Sequence, residues 1–310
     1  MAQRRRRNRR EDKGPAGFVV VDKPSGMTSH DVVDEARRHF GARRIGHLGT
    51  LDPQATGVLP LAVRGATKLV SFFDGSRKAY EGTVRLGITT DTLDAQGDVL
   101  ARHEGALPDE AAVRAVLPEF MGEIEQVPPM YSAVKQGGVP LHKLARQGEV
   151  VERPPKKVQI DALEIVAFEG DSFDVVVECS AGTYVRTLAA DIGDKLGCGA
   201  HLSALRRTRS GPFEIAQAVT LEALEKAAEA GDIDGLLIPP QVALGYPVTE
   251  LNETGVRSLR NGGEIGAGEL HRSAPGTKVS AVGPDGQMVG VLEMQPDRTL
   301  RSVRLLPPPG

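Results

Sequence analysis

The stretch Gly46-His47-Leu48-Gly49-Thr50-Leu51-Asp52-Pro53-Gln54-Ala55-Thr56-Gly57-Val58-Leu59-Pro60 decides how this chain reads. Glycines at 46, 49 and 57 punctuate a polar segment and predict a loop over residues 43–57, where backbone approaches a ligand closely. An aspartate before proline ordinarily starts a turn or caps a helix. In this setting the Asp52 carboxylate, ionised at neutral pH from a reference pKa of about 3.9, also suits a base or a nucleophile. Beyond it, residues 58–63 form an apolar run in which Pro60 argues against an interior strand.

Upstream, Gly17-Phe18-Val19-Val20-Val21-Asp22 reads as a strand and Lys23-Pro24-Ser25-Gly26 as the turn that ends it. Thr28-Ser29-His30-Asp31 has the form of a capping box, followed by Val32, Ala36 and Phe40 at helical spacing and by Gly41 as a stop. Downstream, alternation predicts strands over 78–88, 158–168 and 172–179, and helices over 110–120 and 183–196. Residues 126–157, rich in proline, glycine and basic side chains, read as a surface excursion with a short helix at 141–147. Residues 202–209 end in the cluster Arg206, Arg207 and Arg209. Strands thus come in pairs with occasional helices, not in strict βαβ alternation. That predicts an α+β fold with a mixed or antiparallel sheet in place of a doubly wound one. After a boundary at Tyr246-Pro247, residues 278–305 read as a small β unit joined by tight turns.

A hydrophobic share of 40% and a charged share of 25% place the chain among folded globular proteins. No apolar run approaches a membrane span and the N-terminus lacks a signal-peptide core, so a cytoplasmic location is expected. The two cysteines, Cys179 and Cys198, have neither metal-type pairing nor a disulfide framework. Residues 1–13 carry six arginines and Lys13 against Glu11 and Asp12, a local +5 within a net charge of −3, which leaves −8 on the rest. An acidic body does not coat nucleic acid indiscriminately, so RNA binding would use local basic patches. Residues 1–16 read as a basic disordered tail: either a solvated arm or one that attracts phosphates and makes binding salt-dependent.

Phosphate-binding loops, dinucleotide fingerprints, nucleophile elbows and zinc-spaced Cys or His pairs are absent from the sequence, which sets aside the chemistries they serve. A zinc deaminase is excluded with them. The chain has no Trp and four tyrosines. Tyr80 lies in a predicted strand, where half-buried packing is its ordinary role. Tyr184 and Arg186 stand two apart at the start of a predicted helix, so both are able to edge one cleft; a surface ion pair is the plainer role for Arg186.

The segments Asp22-Lys23-Pro24-Ser25-Gly26-Met27-Thr28-Ser29 and Gly46–Pro60, with Lys78-Ala79-Tyr80, Gln126-Val127-Pro128-Pro129-Met130-Tyr131-Ser132-Ala133 and Gly182-Thr183-Tyr184-Val185-Arg186-Thr187, resemble in order those of the bacterial tRNA pseudouridine-55 synthases, the TruB family. The resemblance covers about residues 17–210. It implies a pseudouridine synthase fold over 17–245, with a mixed, mostly antiparallel sheet and flanking helices, a thumb insertion at about 126–157 that clamps the tRNA T-loop, and a PUA-like RNA-binding β domain over 246–310. It implies uridine isomerisation at position 55 of tRNA without cofactor, metal or guide RNA, by a monomer. On that template Asp52 is the nucleophile or base, Arg186 pairs with it, and Tyr80 stacks on the target base. His47 fills space near the flipped nucleotide, Tyr184 and Leu205 line the pocket, and Asp22-Lys23-Pro24 lies beneath the site. Lys135, Lys143, Arg146, Arg153, Lys156 and Lys157 would meet phosphates from the thumb. The same core also serves guide-RNA-dependent and ribosomal-RNA synthases, and a non-catalytic RNA chaperone on this fold is the reading from another class.

Overall fold

A computed structural model describes residues 12–132, 134–149 and 151–308. In chain order, β1 (Gly17–Lys23), α1 (Ser29–His39), β2 (Ile45–His47), β3 (Thr56–Val63), β4 (Lys78–Leu86), β5 (Ile88–Thr90), β6 (Val99–Arg102), α2 (Glu110–Val116) and β7 (Gly122–Gln126) lead to the excursion. The excursion holds β8 (Lys135–Gln136), β9 (Val139–Pro140) and α3 (Leu141–Arg146). The chain then returns through β10 (Lys156–Glu169), β11 (Ser172–Cys179), α4 (Val185–Lys195), β12 (Ala200–Ser210), β13 (Phe213–Glu214), α5 (Leu221–Glu229) and α6 (Pro240–Leu244).

The central sheet has the order β1-β3-β12-β4-β11-β10-β7, with β2 and β13 paired at its side. Its pairings are antiparallel except β12 against β3, so the sheet is mixed as expected. Period-2 alternation divides two cores across it. Val19, Val21, Leu59 and Leu61 face α1 and α4, whose Val32, Ala36, Leu188 and Ile192 close one side. Phe18, Val20, Val58 and Ala62 face Leu69, Phe213 and Ala243 on the other. Burial on both faces explains why β1 reads as a continuous apolar run.

α1 begins on the expected capping box: Thr28 Oγ1 accepts from the Asp31 amide at 3.1 Å, and the Thr28 amide donates to Asp31 Oδ2 at 2.8 Å. Three expectations need correction. Residues 45–47 are a short strand rather than loop. Pro60 does sit inside a strand, opposite Val20 of β1. Its carbonyl accepts from the Leu48 amide at 2.9 Å, on the side away from β1, so the missing N–H costs no β1 pairing. Asp12, read as part of the tail, is buried, and its carboxylate accepts from the Arg43 and Arg44 amides and from Arg44 Nε at 2.9, 3.2 and 2.8 Å. The arginines at 4–10 lie outside the described residues.

The C-terminal region has its own five-stranded sheet, β14 (Val248–Glu250), β15 (Ile265–Gly266), β16 (Lys278–Val282), β17 (Met288–Met294) and β18 (Thr299–Leu305), in the order β14-β16-β17-β18-β15. With α7 (Glu253–Arg260) it encloses a core of Leu259, Val279, Leu292 and Leu300. Met288, Val291 and Leu306 join the Phe18 cluster, so apolar packing continues into the main body.

Candidate active site

Asp52 stands on the turn between β2 and β3, and three buried side chains and one backbone amide fix that turn. Ser29 Oγ donates to the Leu51 carbonyl at 3.0 Å and accepts from the Leu51 amide at 2.8 Å. Lys23, with no exposed surface, donates from Nζ to the carbonyls of Pro53, Pro24 and Met27 at 3.0, 2.9 and 2.6 Å. The Gly26 amide donates to the same Pro53 carbonyl at 2.8 Å. Arg207, also fully buried, donates to the carbonyls of Val58, Gly49 and Thr50 at 2.7, 3.1 and 3.4 Å. Gly57, at φ +95°, lies so close to β12 that a Cβ would stand 2.2 Å from the Arg207 carbonyl oxygen. Only glycine fits there.

From the first turn of α4, buried Arg186 reaches this loop. Its Nε lies 2.9 Å from Asp52 Oδ2, and its Nη1 lies 3.5 Å from Asp94 Oδ2. Nη1 and Nη2 also donate to the carbonyls of Thr92 and Tyr131 at 2.8 and 3.0 Å. One guanidinium therefore serves two carboxylates and two carbonyls. Burial pushes the Asp52 carboxyl up, more than Arg186 pulls it down, and Asp94 adds to the rise. Burial likewise pushes the Lys23 ammonium down to about 8, against the pull of Asp52.

Asp52, Tyr80, Tyr184, Arg186 and Leu205 line one cleft of about 240 Å³. Buried Tyr80 comes from β4, and the Arg207 charge acts on its hydroxyl, whose pKa burial raises. Tyr184 caps α4, its amide donating to Gln126 Oε1 at 3.0 Å. His47 is not in this lining. It lies on β2 with its ring 6.0 Å from that of His30, and its Nδ1 is buried without a partner. Burial, with help from His30 and Arg207, holds its pKa below the ordinary value. The cleft thus presents a half-buried carboxylate, an arginine fixed on it and an aromatic face, a set suited to covalent or proton-transfer chemistry on a planar base. Among the described residues no cluster of His, Cys, Asp and Glu is able to hold a metal ion.

Residues 37–185 match the model of the TruB family pseudouridylate synthase N-terminal domain, and residues 186–244 that of the tRNA pseudouridylate synthase B C-terminal domain. The tRNA pseudouridine synthase B of Pseudomonas fluorescens is 45% identical over 295 residues, covering 94% of this chain and 95% of the relative. The chain belongs to the TruB family of pseudouridylate synthases. The Azoarcus enzyme of the same name is 46% identical over 291 residues, 94% of each chain. Among solved structures, a Cbf5-Nop10-Gar1 complex matches with TM-score 0.68 and 27% identity over 94% of this chain and 84% of that one. An H/ACA RNP bound to a substrate RNA containing 2′-deoxyuridine gives TM-score 0.69 and 25% identity, covering 94% and 85%.

For this TruB-family chain, sequence reasoning missed the supports of the Asp52 loop. Asp94 was not singled out, although Thr92 Oγ1 and the Gln96 amide hold its Oδ1 at 2.6 and 3.0 Å. Arg207 was read only as one of a basic cluster. Strand alternation separates them: Arg206 points out to a bidentate pair with Asp22 at 3.0 and 2.8 Å, and Arg207 points in.

Proposed function

We propose that this protein isomerises uridine to pseudouridine at position 55 in the T-loop of tRNA. The observation that carries the reading is the Asp52–Arg186 pair at 2.9 Å in a cleft that also holds the Tyr80 ring. The target base leaves its stack and enters the cleft, at a cost of a few kcal/mol. Stacking on Tyr80 returns about 1–3 kcal/mol of that. Ionised Asp52 starts the reaction as nucleophile or base; the N1–C1′ bond breaks, C5 bonds to C1′, the C5 proton departs and N1 gains one. Nothing is oxidised or reduced, and no cofactor or metal is required. Arg186 keeps the carboxylate charged and aimed, while Tyr184 and Leu205 shape the pocket and His47 lies beside the nucleotide's path.

The excursion over 126–157 serves as the thumb on the T-arm, through Lys135, Lys143, Arg153, Lys156 and Lys157; the side chain of Arg146, the sixth basic residue expected there, lies outside the described residues. Residues 246–310 form an accessory RNA-binding unit of PUA type. The protein acts as a cytoplasmic monomer without guide RNA; among the described residues no helix is long and apolar enough to cross a membrane. The test is conversion of a guide-free tRNA transcript, with the product nucleotide located by primer extension after pseudouridine-selective modification. Modification at position 55 supports the reading. An inert transcript, or product at another position, rejects it.

A further inference from the structure

Lys78 opens β4 two residues before Tyr80, so both side chains project from the same face of the strand. It lines the cleft that holds Asp52. Its side chain lies along the catalytic loop: a Cβ built on Gly49 would stand 3.5 Å from Lys78 Cε and 3.9 Å from Nζ. The neighbouring cations are committed, Arg207 to three carbonyls, Arg186 to two carboxylates and two carbonyls. The Lys78 backbone pairs with Cys179 and Ser210 in the sheet, but its ammonium makes no hydrogen bond or ion pair with any described residue. Asp74 is a carboxylate whose field reaches it, without pairing, and Arg207 opposes its charge. A half-buried ammonium without a counter-ion carries a desolvation cost that an incoming anion relieves.

The permanent anion that a flipped nucleotide brings is its phosphodiester. We propose that Lys78 is the cleft's phosphate clamp, pairing with a backbone phosphate next to the target uridine. This rests on the reading of the cleft as the seat of that nucleotide. Burial and Arg207 push the Lys78 ammonium below the usual lysine range, consistent with a charge waiting for its partner. The role is one of binding and positioning, and it is distinct from the stacking by Tyr80 and the chemistry at Asp52.

The experiment uses the full chain and a T-arm hairpin, with Lys78→Met and Lys78→Arg compared with wild type for Kd, its salt dependence and single-turnover rate. Thermal melting establishes that each variant is folded. Lys78→Met should weaken binding roughly tenfold, as expected for a charge-assisted bond. It should also lower the slope of log K against log salt by about 0.7–0.9, one counter-ion's worth. Lys78→Arg should restore most of both. A methylphosphonate at the clamped phosphate should cost wild type the same factor and cost Lys78→Met nothing more. Unchanged Kd and slope, a rate loss with Kd intact, or additive losses at both flanking phosphates overturn the proposal. Wild type that binds the hairpin but forms no pseudouridine would instead overturn the functional reading, so the two failures are distinct.

Discussion

Arg186 Nε stands 2.9 Å from Asp52 Oδ2 while the same guanidinium, through Nη1, lies 3.5 Å from Asp94 Oδ2. Half-buried Asp52 therefore shares its counter-ion with the buried carboxylate of Asp94. Sharing weakens the hold that Arg186 has on the Asp52 charge, and burial leaves the Asp52 pKa raised. A raised carboxyl pKa means that Asp52 takes up its proton at higher pH than a free aspartate. Activity, which needs the anion, should be full well above that pKa and fall as pH drops through it. The acid limb of single-turnover rate against pH is expected above the reference value of about 3.9.

Asp94→Asn should move that limb to lower pH. The substitution removes the like charge and leaves Arg186 to Asp52 alone, while Asn Oδ1 still accepts from Thr92 and the Gln96 amide. A pH profile of the variant checks it; a limb that stays put or rises contradicts the shared-cation account.

Arg186→Lys should reduce the single-turnover rate by about 100-fold or more, on the scale of losing a fixed electrostatic donor. An ammonium does not reproduce the fork that bridges Asp52, Asp94 and the carbonyls of Thr92 and Tyr131. tRNA affinity, measured by filter binding, should change far less.

Tyr80→Ala should lower kcat/KM by about 5–150-fold, the equivalent of about 1–3 kcal/mol of stacking. Tyr80→Phe keeps the ring and loses only the buried hydroxyl on which the Arg207 charge acts, so the expected loss stays below roughly tenfold. Equal losses in the two variants would place the contribution in the hydroxyl.

Gly57→Ala should destabilise the fold by about 1–3 kcal/mol or more in urea unfolding, because the added Cβ meets the Arg207 carbonyl and φ is +95°. A neutral effect would show that β3 and β12 separate without cost.

Much of this architecture is legible in the sequence because its signals are local. The continuous apolar run at residues 18–21, the alternation in residues 78–86 and 172–179 and the Thr28–Asp31 box each specify an element without reference to distant residues. The motif around Asp52 and the pair Tyr184 and Arg186 are contiguous too, and the cleft unites them with Tyr80 and Leu205. What the sequence conceals depends on backbone acceptors. Lys23, Ser29 and Arg207 act by donating to carbonyls of Leu51, Pro53, Gly49 and Val58, and a carbonyl has no residue identity to recognise. Pro60 misled for a related reason: whether a proline breaks a strand depends on which edge its nitrogen faces, and that is fixed by neighbours remote in sequence. His47 shares the motif of Asp52 but lies off the cleft lining, since β2 carries it toward His30.

The central claim is that Asp52 performs the chemistry. Its most direct test is tritium release from 5-labelled uridine in full tRNA and in a T-arm hairpin, with wild type and Asp52→Asn side by side. The account predicts release by wild type from both, and none above background from Asp52→Asn, whose tRNA Kd stays within about twofold of wild type. Substantial release by Asp52→Asn would contradict it.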